Sequence, residues 1–142
     1  MSKKKLFITF FIATILFSNN LHAKDAFFIE GEKLFKQKQY TKSKFKFEKD
    51  IVFNPKSEKS YLYLAKIFKK QNNENLEEKN LKTVILLNPK NEEALYLLAL
   101  LKIKKSDFSE SEKLINNFVK VCNFLCEKEK QLNIKLKDIQ TK

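Results

Sequence analysis

The sequence predicts an all-α chain: a right-handed α-solenoid of three helix-turn-helix repeats closed by a C-terminal capping helix. Three observations carry the prediction. Turn formers are scarce, with one glycine and two prolines in 142 residues, while Lys, Leu, Glu and Phe abound. The stretch FEKDIVFNPKSEKSYLYLAKI at 47–67 is echoed by LKTVILLNPKNEEALYLLALL at 81–101. Pro55 and Pro89 lie 34 residues apart, and other positions keep that offset.

Residues 1–23 read as a cleavable signal peptide. Lys3, Lys4 and Lys5 form a positive start, Leu6 to Phe17 an apolar run, and Ala23 a small residue at the cleavage position. The run is shorter than the roughly 20 residues of a membrane span. The chain remaining from Lys24 is expected in the periplasm or secreted. Its 119 residues suffice for one domain, 24–142.

Each repeat supplies its own helix signals. Gly31, Ala65 and Ala99 form a column of small residues, with Phe27, Tyr61 and Leu95 four positions earlier. Thr41, Asn75 and Ser109, like Ser57 and Asn91, read as N-caps. Asn75 with Glu78 and Ser109 with Glu112 have capping-box spacing. Tyr61, Leu64, Ala65 and Phe68 make one apolar helix face. Pro55 and Pro89 each end a helix, because proline cannot donate and restricts the asparagine before it. Helices are expected near 26–38, 42–53, 58–71, 76–87, 92–105, 110–121 and 126–140. The last is mostly polar, with Leu132, Leu136 and Ile139 to pack inward, as a terminal cap requires.

In this pattern the chain resembles the tetratricopeptide-repeat family. Repeats 24–57, 58–91 and 92–125 place Phe27, Gly31, Ser43, Phe47 and Pro55, then Tyr61, Leu64, Ala65, Phe68 and Pro89, then Leu95, Leu98, Ala99, Ser111 and Phe118 on the family's characteristic positions. Glu30, Asp50, Glu77, Lys102 and a missing third proline depart from it.

The resemblance implies a scaffold that binds a partner peptide or protein on the concave face, through the first helix of each repeat. The corresponding positions are Asp25, Phe28, Glu32, Phe35 and Lys36; Lys59, Leu62, Lys66, Lys69 and Lys70; and Glu93, Tyr96, Leu100, Ile103 and Lys104. Of these, Phe28, Phe35, Lys59, Leu62, Lys66, Lys69, Lys70, Tyr96, Leu100 and Ile103 are the expected partner contacts. Aromatics beside lysines suit a ligand with apolar anchors and an acidic residue or carboxyl terminus. The competing reading packs Phe28 and Phe35 on a neighbouring helix and leaves the lysines solvated. Envelope assembly or maturation is the expected setting.

The formal charge is +12, and loss of Lys3, Lys4 and Lys5 leaves 26 lysines against 17 acidic residues, a net of +9. The absence of arginine argues against nucleic acid, whose recognition favours the planar guanidinium fork. Association with anionic lipid or envelope polymer is the alternative function.

His22 is the single histidine and leaves with the signal, so no imidazole remains for acid–base work. No catalytic residues, metal or cofactor are expected, and the chain does not read as an enzyme. Cys122 and Cys126 admit three readings, in descending order: a structural disulfide, two buried thiols, or a redox pair. An unbroken helix through both would make a bridge hard to form.

Overall fold

A computed structural model describes the backbone of residues 20–141 and side chains from Ala26. The expected signal segment lies mostly outside the described residues. Among them the fold is all-α, with seven helices: α1 Asn20–Lys36, α2 Tyr40–Phe53, α3 Glu58–Lys70, α4 Glu74–Leu87, α5 Glu92–Lys104, α6 Phe108–Val121 and α7 Lys128–Gln140. None is long and apolar enough to cross a membrane. Two compact units result, one ending at Pro55 and one beginning at Lys56.

The first unit is the pair α1–α2. Gly31 lets the helices approach: a Cβ there would lie 2.8 Å from the fully buried Phe47 ring. At the same crossing the Ser43 hydroxyl donates to the Gly31 carbonyl at 2.8 Å. Phe27 stacks on Phe53 with ring centres 5.5 Å apart. Glu30, which breaks a leucine column, is exposed and pairs with Lys46 of α2 at 2.6 Å. Asp50, in a column shared with Val84 and Phe118, is buried.

The second unit pairs α3 with α4 and α5 with α6, and α7 packs on both α5 and α6. Its core joins Ala65, Leu81 and Val84 to Leu95, Leu98, Ala99, Ile115 and Phe118. Leu132 and Leu136 of α7 complete it, as the apolar spacing of that helix foretold. The helix α5 is buried almost all round, because α4, α6 and α7 all pack against it.

The turn inside each pair corrects the expected caps. The N-caps are Gln39, Asn73 and Asp107, so Thr41, Asn75 and Ser109 fall inside the first helical turn and the expected capping boxes do not form. Asn73 accepts from the Leu76 N–H at 3.2 Å and Asp107 from the Glu110 N–H at 3.4 Å. Asn91 caps as expected, accepting from Ala94 N–H at 2.9 Å, whereas the Ser57 hydroxyl turns to Ser60 instead.

The shift has a local cause. Lys38, Asn72 and Ser106, one per pair, have positive φ of 60°, 54° and 56°. In each turn this residue donates back three positions and the next residue donates back five, as in Asn72 to Lys69 and Asn73 to Phe68. The residue that ends this motif is also the cap of the next helix. Asparagine tolerates the left-handed region; lysine and serine do so at greater cost. Lys38→Gly and Ser106→Gly should therefore each stabilise the chain, by roughly 0.5–1 kcal/mol after the glycine's larger unfolded entropy is counted. Thermal melts of the double variant should show a higher midpoint, and Asn72→Gly should move it less.

Between pairs the proline turns repeat in altered form. Asn54 and Asn88 end α2 and α4, and Cys122 ends α6 in the same column. Asn123 stands where Pro55 and Pro89 stood. Here the helix is interrupted, and Cys122 is bonded to Cys126 with Cα atoms 5.3 Å apart. The obstacle to an i, i+4 bridge in a continuous helix is thus absent.

Candidate functional site

In the first unit, Phe28 and Phe35 are half-buried against α2: the Phe28 ring lies 5.9 Å from Phe47, and the Phe35 ring 5.4 Å from Tyr40. This is the packed arrangement that competed with free aromatic anchors. Asp25 lies outside the residues whose side chains are described.

In the second unit the expected surface divides. Lys59, Lys69 and Lys70 are exposed. Leu62 and Ile103 are 8% and 2% exposed and belong to the core, so neither stands on an open surface, although Ile103 still forms part of a cavity wall. The reason for Ile103 is that α7 packs across α5; Leu62 joins the same apolar cluster. Lys66 is half-buried, paired with Glu93 of α5 at 2.7 Å and 5.0 Å from the Tyr63 ring centre. Tyr96 donates its hydroxyl to Gln131 of α7 at 2.7 Å. Leu100 is half-buried and lines a cavity.

That cavity, of about 540 Å³, is built from α3, α4, α5 and α7. Its apolar wall is Leu100, Leu101, Ile103 and Ile139. Lys69, Lys104 and Lys135 alternate around it with Glu74, Glu77 and Asp138. Lys104 and Glu74 are paired at 2.6 Å. Glu77 is only 5% exposed. Burial pushes its carboxyl above the usual range, with Lys69 and Lys104 opposing and Glu74 adding to the shift. The sequence marked Glu77 as a departure from the repeat pattern and Ile139 as an inward-packing residue of the cap; reading the last helix as a cap hid Lys135 and Asp138.

A second charged cluster explains Lys102, another departure. Lys102 is 8% exposed, and its ammonium meets Glu78 at 2.9 Å and Asp107 at 3.0 Å. Lys82 and Lys105 reach the same Glu78 at 2.7 and 2.8 Å. Hydrogen bonds from Lys105, Lys82 and Lys102 hold the Glu78 carboxyl down at about 2. The network ties α4 to α5 at the position where the preceding repeat has Phe68.

A folded pKa below the unfolded one stabilises above the ordinary carboxylate range and stops doing so as pH falls through the folded value. Glu78 should therefore contribute on the order of 2 kcal/mol at neutral pH, after allowing for solvent screening, and lose it progressively from about pH 5 to pH 2. Glu78→Gln should lower the melting midpoint at pH 7 and flatten its fall over that window. A parallel pH profile for variant and wild type would refute the assignment.

A third carboxylate organises the disulfide turn. Glu92, at the start of α5, accepts the backbone N–H groups of Asn123, Phe124 and Leu125 at 2.8, 3.0 and 2.9 Å. Desolvation works to raise its pKa, but the N–H groups of Leu125, Phe124 and Asn123 outweigh it, and the net shift is downward. Glu58, its counterpart one repeat earlier, accepts a single bond from the Asn88 side chain at 3.2 Å.

No protein-family model matches the sequence, and no curated protein does. The fold does match solved tetratricopeptide-repeat domains. The TPR2B domain of yeast Sti1, in a complex with Hsp70, superposes with a TM-score of 0.73 at 15% identity, over 81% of this chain and 96% of that one. The Yersinia enterocolitica type III secretion chaperone SycD, with a peptide of the translocator YopD, gives 0.72 at 12% identity, over 82% and 92%. The first TPR domain of Spaghetti (RPAP3), bound to an HSP90 peptide, gives 0.69 at 16% identity, over 83% and 90%. The fold is accordingly that of a tetratricopeptide-repeat domain: three helix pairs and a capping helix.

Proposed function

We propose that this protein is an exported, non-enzymatic scaffold that holds a partner protein in envelope assembly or maturation. The observation that carries the reading is the cavity on the second unit, lined by the first helices of successive pairs, α3 and α5, together with α7. The family resemblance places binding on the first helix of each repeat, here α3 and α5. The Sti1, SycD and RPAP3 domains, all of this fold, occur with Hsp70, YopD and HSP90 ligands respectively. The bonded Cys122–Cys126 pair and the signal-like Leu6 to Ala23 stretch both suit an oxidising compartment outside the cytoplasm.

The pairing of Lys66 refines the expected surface. Its charge is spent on Glu93, so exposed Lys69 and Lys70 are the better electrostatic contacts. Affinity capture from envelope extract, with mass spectrometry, should recover a partner that Lys69→Glu with Lys70→Glu loses, at unchanged helical content. N-terminal sequencing of the envelope-fraction protein should begin Lys24-Asp25. Recovery of wild-type partner by the charge-reversed variant would move the site elsewhere. Binding to anionic vesicles with no protein partner would favour the lipid-associated alternative.

A further inference from the structure

In the three repeats Ser43, Glu77 and Ser111 occupy one column, and all three are buried. The two serines are satisfied locally: Ser43 donates to the Gly31 carbonyl and Ser111 to the Asp107 carbonyl, at 2.8 and 2.7 Å. Glu77 replaces this small hydroxyl with a carboxylate that lines the cavity at 5% exposure and, among the described residues, has no side-chain hydrogen bond or ion pair. No buried side-chain oxygen is left without a partner among the described residues, so the Glu77 carboxylate keeps a narrow access to solvent; holding a charge in so confined a place is still costly, and an apolar or small residue would avoid that cost. Lys69 and Lys104 act on it through space, but neither forms an ion pair with it. Glu74 already holds Lys104, while Lys69 and Lys135 are exposed on the cavity's rim.

We propose that this cavity binds a basic side chain of a partner polypeptide, its ammonium or guanidinium pairing with Glu77 and its aliphatic stem lying on Leu100, Ile103 and Ile139. The inference rests on the scaffold reading and names one chemical feature of the partner. A cation is favoured over an anion because the least exposed charge in the cavity is negative, and pairing strengthens as solvent is excluded. The apolar wall below it suits the methylene stem of lysine or arginine. The rim lysines remain available to the backbone carbonyls or an acidic neighbour on the same peptide.

The test uses small probes, so that it does not depend on finding the partner. Methyl and amide NMR of the whole chain would be followed during titration with Nα-acetyl-lysine methylamide, Nα-acetyl-arginine methylamide and the neutral Nα-acetyl-norleucine methylamide. Saturable shifts at Leu100, Ile103 and Ile139 are expected with the two basic probes. Affinity should fall about tenfold or more for norleucine, and for Glu77→Gln with a basic probe, as for a lost charge-assisted hydrogen bond. Glu77→Ser should abolish binding and raise the melting midpoint, because it restores the residue of the other two repeats. Equal binding of norleucine, undiminished binding by Glu77→Gln, no saturable shift, or a lower midpoint for Glu77→Ser would each overturn the proposal. A captured partner that binds while the probes do not would leave the scaffold reading standing and remove this site alone.

Discussion

Ala65→Glu is expected to unfold the α3–α4 pair and to carry partner binding away with it. Ala65 is 1% exposed and sits among the buried residues that join α3 to Leu81 and Val84 of α4. Glutamate there adds volume to a close-packed contact, which alone costs roughly 1–3 kcal/mol. It also buries a carboxyl with no donor, and the sum should reach about 4 kcal/mol or more, a large share of a small domain's total stability. Circular dichroism should show reduced helix at room temperature or a much lower midpoint. Lys59→Glu, at an exposed position on the same helix, is the control and should stay within about 0.5 kcal/mol of wild type. A normal melt for Ala65→Glu would mean that the small-residue column does not mark the helix contact.

The second large effect is expected from Phe118→Ala. Phe118 is wholly buried in α6, 6.3 Å from the Tyr96 ring of α5, and its carbonyl receives the Cys122 N–H at the helix end. Removing a fully buried aromatic ring typically costs about 3–5 kcal/mol, because the space left behind collapses only in part. For a chain of this size the midpoint should fall by about 10–20 °C. Val119→Ala, at a position 41% exposed, should move it only slightly. A small shift for Phe118→Ala would place the core of the last pair elsewhere.

The architecture was legible because its causes are local and repeated. The Gly31–Ala65–Ala99 column marks the helix crossings, and the Asn-Pro steps mark the turns between pairs. The caps were misplaced by two residues because the turns inside pairs use Lys38, Asn72 and Ser106 at positive φ, where glycine would have announced the geometry. Glu77 and Lys102 looked like blemishes in the repeat, since a column comparison sees size and polarity and not partners across helices. One proved to be paired with Glu78 and Asp107, the other to line a cavity. Ile103 lies deeper than expected because the face it occupies is open only in an isolated pair; α7, nearly thirty residues later, packs across it and leaves a cavity that Ile103 lines.

The attachment of α7 bears on how the chain opens as well as on how it is built. A terminal element held by one face has fewer neighbours than an internal one and exchanges its amide protons through fraying, well below the free energy of global unfolding. Here the approach to α7 is fastened twice, by the Cys122–Cys126 bond and by the three amides that converge on Glu92. Those amides are protected by a side chain from the start of α5, so they should exchange with the interior and not with the chain end. Acid that neutralises Glu92, or reductant that opens the bond, would shift the fraying boundary inward to the end of α6. The last helix would then come and go on its own, while the pairs before it kept the protection of the core.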